Sequence, residues 1–198
     1  IPATAKGVTI GQPLNKLGMR SSDTAPVFFD DVRVPQTHCI GKQGEGFVYQ
    51  MQQFQEERLY GVAMGLKSME NCIQITLEYA KTRMVFDKPL LSNQTVLFTL
   101  AELQTEIEAL RALLYRATAL YVNGVDVTQL TSMAKLKAGR LNREVADRCL
   151  QYWGATGYME ESLINRRYRD LRLTSIGGGA DEIMLSIIGR SLVHTSRS

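Results

Sequence analysis

The segment Gln55-Glu56-Glu57-Arg58-Leu59-Tyr60-Gly61-Val62-Ala63-Met64-Gly65-Leu66 lies near the start of a longer stretch, residues 47–82, that decides the fold. Apolar residues recur there at Phe47, Met51, Phe54, Val62, Leu66, Met69, Ile73, Leu77 and Ala80. Steps of three and four predict one long helix, interrupted only between Phe54 and Val62. Arg58 falls in phase with that stripe, where an unpaired charge is costly to bury, so it requires a partner or a ligand. One position earlier, Glu57 starts a second row, Glu57–Gly61–Gly65–Ser68, whose members stack on one helix face. Each glycine weakens a helix by roughly 0.5–1 kcal/mol relative to alanine, so something packs against the backbone there. Two readings stay open: a close helix crossing, or a substrate slot headed by a carboxylate and an arginine.

Working outward, 198 residues with 44% hydrophobic content suffice for a sizeable core and one domain, or one domain plus a piece of another. The net charge of +3 does not call for nucleic acid. Three widely spaced cysteines, Cys39, Cys72 and Cys149, predict a reducing compartment without a disulfide framework. Two histidines, His38 and His194, are too few for a histidine-rich metal site, and Glu-x-x-His pairs for a carboxylate-bridged centre are missing. No apolar run reaches the ~20 residues that span a bilayer. The chain opens at Ile1 rather than methionine, which reads as an internal fragment or a processed product.

Upstream of the long helix the texture changes. Gly7–Ile10, Val27–Phe29 and Val32–Val34 are short β-prone runs punctuated by glycine and proline. They are expected to be the C-terminal edge of a β-domain, residues 1–42, with residues 43–198 forming a helical domain. Downstream, Ser92 or Asn93 is the expected N-cap of a second helix carrying Leu97, Leu100, Leu103, Ile107, Leu110, Leu114, Ala117 and Tyr121, ended by Asn123-Gly124. A third begins near Asp126 or Thr128 and stops at Gly154-Ala155-Thr156-Gly157. A short basic helix around Ser162–Arg169 and a closing helix after Gly177-Gly178-Gly179 follow. The fold class is therefore mainly α: an antiparallel four-helix bundle preceded by a short β remnant. Tyr115, Leu120 and Trp153 are expected at subunit contacts.

The remaining signals are weak singly. Cys72 and Cys149 have no histidine nearby in sequence, and buried structural cysteine is the usual case. The basic run Arg166–Arg172 reads as a phosphate contact or as a solvated, ion-paired face. The triple glycine resembles a phosphate cradle, but Asp181 and Glu182 in the next helix's first turn would repel an anion. A sharp turn, or backbone lying against a planar group, fits better.

Taken in order, the motifs resemble the acyl-CoA dehydrogenases. Lys16-Leu17-Gly18-Met19-Arg20-Ser21-Ser22-Asp23-Thr24, Val27–Pro35 and Gly44-Glu45-Gly46-Phe47 carry the resemblance at the start. Thr82-Arg83 with Phe86, Lys88-Pro89-Leu90 and Gln94 is similar to the family's R-x-x-F-G-K-x-L…Q segment, with Asp87 where glycine is usual. Gln151–Tyr158 resembles Q-x-x-G-G-x-G-Y, with Ala155 for the second glycine. Arg169-Asp170 and Ile176–Ile183 resemble R-D…I-Y-E-G-T-x-x-I.

The resemblance implies FAD as cofactor and α,β-dehydrogenation of an acyl-CoA thioester, with hydride passing from the β-carbon to flavin. The position where many members carry their catalytic glutamate is Gly178 here; a smaller group, similar to the long-chain and isovaleryl enzymes, uses an E-R-L glutamate, which is Glu57. Arg58 is then a substrate-binding residue, and Arg83, Phe86, Gln94, Gln151 and Gly154 are cofactor contacts, much of them across a dimer interface. Asp87 adds negative charge near the flavin pyrophosphate. Implied partners are an acyl-CoA, an electron-transfer flavoprotein as acceptor, and a homodimer or homotetramer, in a mitochondrial matrix or a bacterial cytoplasm. Residues 1–198 alone are expected to fold but to be inactive. Two other classes remain: an acyl-CoA oxidase-like relative, and a non-enzymatic helical assembly or nucleic-acid-binding module using Arg166–Arg172.

Overall fold

The computed structural model describes the backbone of residues 1–195 and side chains as far as residue 193, so the side chain of His194 lies outside the described residues. The chain falls into two compact units, residues 1–53 and 54–198.

In the first unit, strands β1 (Val8–Ile10) and β2 (Val27–Phe29) pair antiparallel, with Thr9 opposite Phe28. Both faces of this ribbon are uncovered, Phe28 and Phe29 being 58% and 59% exposed. Residues 32–34, expected as a strand, are irregular. Asp31 enters them with φ +45°, which breaks extended backbone, and Pro35 removes a donor at the other end.

Helix α1 (Gly46–Thr82) is the long helix the periodicity calls for. Val62, Leu66, Met69, Ile73 and Ala80 are buried, joined by Leu59, Cys72 and Thr76, whereas Phe47 and Met51 are exposed. A two-residue hairpin follows, β3 (Met84–Val85) against β4 (Lys88–Pro89). Phe86 and Asp87 turn it with φ +49° and +63°, the paired left-handed conformation that tight hairpins need. Helix α2 (Gln94–Val122) is capped by Asn93, whose side chain accepts the Thr95 N–H at 3.0 Å. Helix α3 (Thr128–Tyr158) starts where Asp126 Oδ1 accepts both the N–H and the hydroxyl of Thr128. It continues past the expected stop: Gly154 (φ 56°, ψ −140°) kinks it rather than ending it. Helices α4 (Leu163–Leu171) and α5 (Asp181–Thr195) complete the unit.

Side-chain pairs fix the directions. Glu56 and Glu70 of α1 meet Tyr121 and Arg111 of α2, so the partners descend as α1 ascends, and these helices are antiparallel. Against α3 the partners ascend together: Gly65 meets Asn142, Cys72 feels Cys149, and Thr76 accepts from Trp153. The same separation of 77 residues recurs in each pair, so α1 and α3 run parallel with α2 between them in sequence and opposite in sense. One continuous cluster of buried residues from α1, α2, α3 and α4 forms the core.

Trp153 is half-buried: its ring stacks on Tyr79 and its indole N–H donates to Thr76 Oγ1 at 3.1 Å, next to the kink at Gly154. Tyr115 is exposed and Leu120 half-buried. No described helix is long and apolar enough to cross a membrane.

Candidate active site at the head of helix α1

Glu57 projects from α1 into solvent, and Gly61 one turn later has nothing within 4 Å of where a Cβ would sit. Gly65, a further turn on, is the opposite case: a Cβ there would meet the Asn142 amide nitrogen at 2.6 Å. The glycine row therefore divides, with a helix crossing at Gly65 and open space at Gly61. Tyr60 and Met64 flank that opening and are exposed.

Arg58 is half-buried, as its place on the apolar stripe requires, with its guanidinium 5.9 Å above the Phe54 ring. Its Nε is buried and has no hydrogen-bond partner among the described residues. Burial lowers its pKa from the ordinary arginine value, and Glu57 opposes that shift. The guanidinium also abuts the glycine turn, Nη2 standing 3.9 Å from the position a Cβ would take on Gly179. Arg58 and the Gly177–Gly179 turn, far apart in sequence, thus meet.

Gly178 and Gly179 have φ +66° and +103°, values that glycine adopts without strain. The turn is a sharp reversal secured by Lys135 of α3, which is only 5% exposed. Its ammonium donates to the carbonyls of Thr174 (2.6 Å) and Gly179 (2.7 Å). Burial lowers the Lys135 pKa, Asp181 opposes that, and Arg58 adds to it. Asn142, fully buried, donates to Thr174 Oγ1 at 3.2 Å. Asp181 at the head of α5 faces Arg143 at 3.3 Å, so the first turn of α5 is already occupied by a carboxylate. Sequence reasoning passed over Lys135 and Asn142. The available signal was their phase on α3 beside Ala134, Ala138 and Gly139, a stripe of small buried residues that marks a close-packed face.

The proposed cofactor contacts sit at the other end. The Arg83 N–H donates to Tyr79 O and its carbonyl accepts from Leu90, which ties the hairpin to the end of α1. Phe86 at the hairpin tip is 96% exposed, and Gln94 is exposed in the first turn of α2. Gln151 and Gly154 are exposed beside Trp153, with open space over Gly154. The Tyr79–Trp153 stack joins these pieces. Measured along α1, the two sets are separated by about 39 Å at 1.5 Å per residue.

On α4 the basic run is partly spent within the chain: Arg169 pairs with Glu160 at 2.9 Å, and Arg167 is half-buried. Cys72 and Cys149 are buried and free.

The family profile described as "Acyl-CoA dehydrogenase, C-terminal domain" matches residues 44–193. The long-chain specific acyl-CoA dehydrogenase of Sus scrofa mitochondria is 39% identical over 96% of this chain and 44% of its own length. Cyclohexane-1-carbonyl-CoA dehydrogenase of Geobacter metallireducens is 34% identical over 98% of this chain and 51% of its own. Among solved structures, butyryl-CoA dehydrogenase from Megasphaera elsdenii superposes with a TM-score of 0.93 at 32% identity, covering 98% of this chain and 50% of that one. The chain spans about half the length of the curated relatives it matches.

Proposed function

Because this chain belongs to the acyl-CoA dehydrogenase family, we propose that it supplies the base and part of the flavin site for α,β-dehydrogenation of an acyl-CoA thioester. Residues 1–42 are assigned to the edge of a β-domain and 43–198 to the helical domain. The observation that supports the reading is the approach of Arg58, the residue beside Glu57, to Gly179 of the glycine turn. The family resemblance offers two chain positions for one carboxylate: one holds Glu57, whose neighbour Arg58 reaches the glycine turn, and the other is Gly178 within that turn. A base is defined by where its oxygen stands, not by its place in the chain.

The thioester acidifies the α-hydrogen, and a Glu57 carboxylate oxygen takes that proton. Arg58 beside it offers a positive charge and an unpartnered Nε to the substrate or to the carboxylate. Tyr60, Gly61 and Met64 give the acyl chain an apolar floor with a gap at the glycine.

The far end of the bundle fits a dinucleotide: an exposed guanidinium at Arg83 suited to phosphate oxygens, an exposed ring at Phe86, and bare backbone at Gly154. Bound there, FAD would supply the acceptor for the hydride. A span of about 39 Å between Glu57 and Arg83 favours a flavin shared between two subunits, its reacting end near one chain's Glu57 and its nucleotide end near the other's Arg83. A homodimer, or a tetramer of dimers, follows from that sharing. An electron-transfer flavoprotein is the proposed acceptor, in a mitochondrial matrix or a bacterial cytoplasm.

The deciding experiment is anaerobic mixing of the flavin-loaded protein containing this chain with acyl-CoA esters of graded length and branching. Loss of the oxidised flavin absorbance with formation of the 2-enoyl-CoA is expected. Absence of both for every ester would overturn the proposal.

A further inference from the structure

We propose that Lys135 is a positioning residue for this reaction: its ammonium sets the Thr174–Gly179 turn against Arg58 and thereby the geometry around Glu57. The inference rests on the reading of Glu57 as the base.

Two carbonyl oxygens five residues apart, those of Thr174 and Gly179, converge on one point. A side chain that donates to both must carry several protons on one atom at the end of a long stem, and lysine alone meets this description. The site is otherwise unattractive for a cation. Lys135 is buried, Arg58 is a second positive charge nearby, and Asp181, the carboxylate that favours the charge, is also held by Arg143. A structure that needed only a filled core would place an apolar side chain here, which costs no charge burial.

The turn itself is equally specific. Lys135 Cε lies 3.8 Å from where a Cβ on Gly178 would stand, while a Cβ on Gly179 would meet Met184 at 2.8 Å and approach Arg58 at 3.9 Å. The turn is thus bounded by Lys135 and Arg58 as well as by Met184. A second tether, Asn142 to Thr174 Oγ1, starts from the residue that packs on Gly65 of α1. The order of contacts is Gly65, Asn142, Thr174, Lys135, Gly179, Arg58: it leaves α1 one turn beyond Gly61 and returns to it beside Glu57. Loss of the ammonium leaves two carbonyls without their donor, and the turn relaxes away from Arg58. Displacement by about 1 Å near a reacting centre costs up to roughly 100-fold in rate.

The test uses the flavin-loaded protein. Lys135→Met keeps the length and removes the donors. Expected are retained flavin, a KM within about twofold, a kcat lower by about 10- to 100-fold, and a larger primary isotope effect with α-deuterated acyl-CoA as proton removal becomes limiting. A purely structural lysine would lower stability and flavin content without enlarging the isotope effect. Gly179→Ala, which pushes the same turn from its other side, should give the same kinetic change, and the double variant should be no slower than the slower single one. Wild-type kcat and isotope effect in Lys135→Met, or multiplying losses in the double variant, overturn the proposal. Should Lys135→Met not fold, Lys135→Arg carries the test, since it keeps the charge and moves the donors: a lowered kcat with a raised isotope effect supports the role, and unchanged values overturn it. An unmodified protein that turns over no acyl-CoA refutes the functional reading itself, whereas an active one with an indifferent Lys135 refutes only this inference.

Discussion

The rings of Tyr79 and Trp153 stack with their centroids 4.2 Å apart and their planes 9° from parallel, joining the end of α1 to the kink in α3. The contact is reinforced from both sides, Tyr79 Oη donating to the Trp153 carbonyl at 3.3 Å and the indole N–H to Thr76. It holds the proposed nucleotide-binding end together, with Arg83 one turn beyond Tyr79 and Gln151 and Gly154 on either side of Trp153. Trp153→Ala is expected to cost about 2–4 kcal/mol of stability. It should also weaken flavin retention more than a distant core truncation of equal cost. Denaturant titration and flavin release from the two variants check this, and equal flavin release would separate the stack from the cofactor end.

Glu57→Gln removes the proton acceptor while keeping size and exposure. Flavin binding should persist and acyl-CoA should no longer bleach it, a loss of at least about 100-fold in rate for a missing general base. Near-normal bleaching would show that another group takes the α-proton. Glu56 is the wrong neighbour for that role, because its carboxylate already accepts from the Tyr121 hydroxyl and raises that phenol's pKa.

The two glycines of α1 should respond in opposite ways. Gly61→Ala places a methyl in open space and should stabilise the helix by about 0.5–1 kcal/mol. Gly65→Ala drives a Cβ into Asn142 and should destabilise by about 1–3 kcal/mol. Gly61→Leu should then raise KM for bulky acyl groups more than for short ones. Thermal unfolding and a chain-length series distinguish the outcomes.

At the hairpin tip, Asp87 adopts φ +63°, a conformation that glycine takes freely and aspartate tolerates. Asp87→Gly relieves that conformation and removes a negative charge from the side where the flavin phosphates are expected. Tighter FAD binding, measured by flavin fluorescence during dilution, is the expected result; unchanged affinity would place the phosphates elsewhere.

Burial raises the Cys72 thiol to about 12, with Cys149 adding to the shift, and raises Cys149 to about 11. Both should resist alkylation at pH 8 while exposed Cys39 reacts, as peptide mapping of the labelled protein would show. The sign of the pH effect follows. A thiol whose folded pKa lies above its unfolded value favours the fold fully below that unfolded value, near 9, and the contribution is lost as pH rises toward 11–12. Stability should therefore decline in that alkaline window, and less so in Cys149→Ala relative to its own neutral-pH value.

Local chemistry made much of this protein legible in advance. The three- and four-residue spacing of Val62, Leu66, Met69 and Ile73 specifies α1, and the Asn93 cap and Asn123-Gly124 bound α2, because helix formation and capping depend on neighbours within a turn. Glu57 and Arg58 stood out for the same reason, a carboxylate above glycines and a charge on an apolar stripe. Tertiary structure decided what those glycines do. Gly61 and Gly65 are identical in sequence terms, and only the arrival of Asn142 from α3 makes one a crossing and leaves the other open. It also decided that Lys135 belongs inside, since its partners are carbonyls 39 and 44 residues away. Every residue carries such a carbonyl, so no sequence pattern can announce which two will converge. Only the packing of α5 and its glycine turn against α3 brings them to one ammonium.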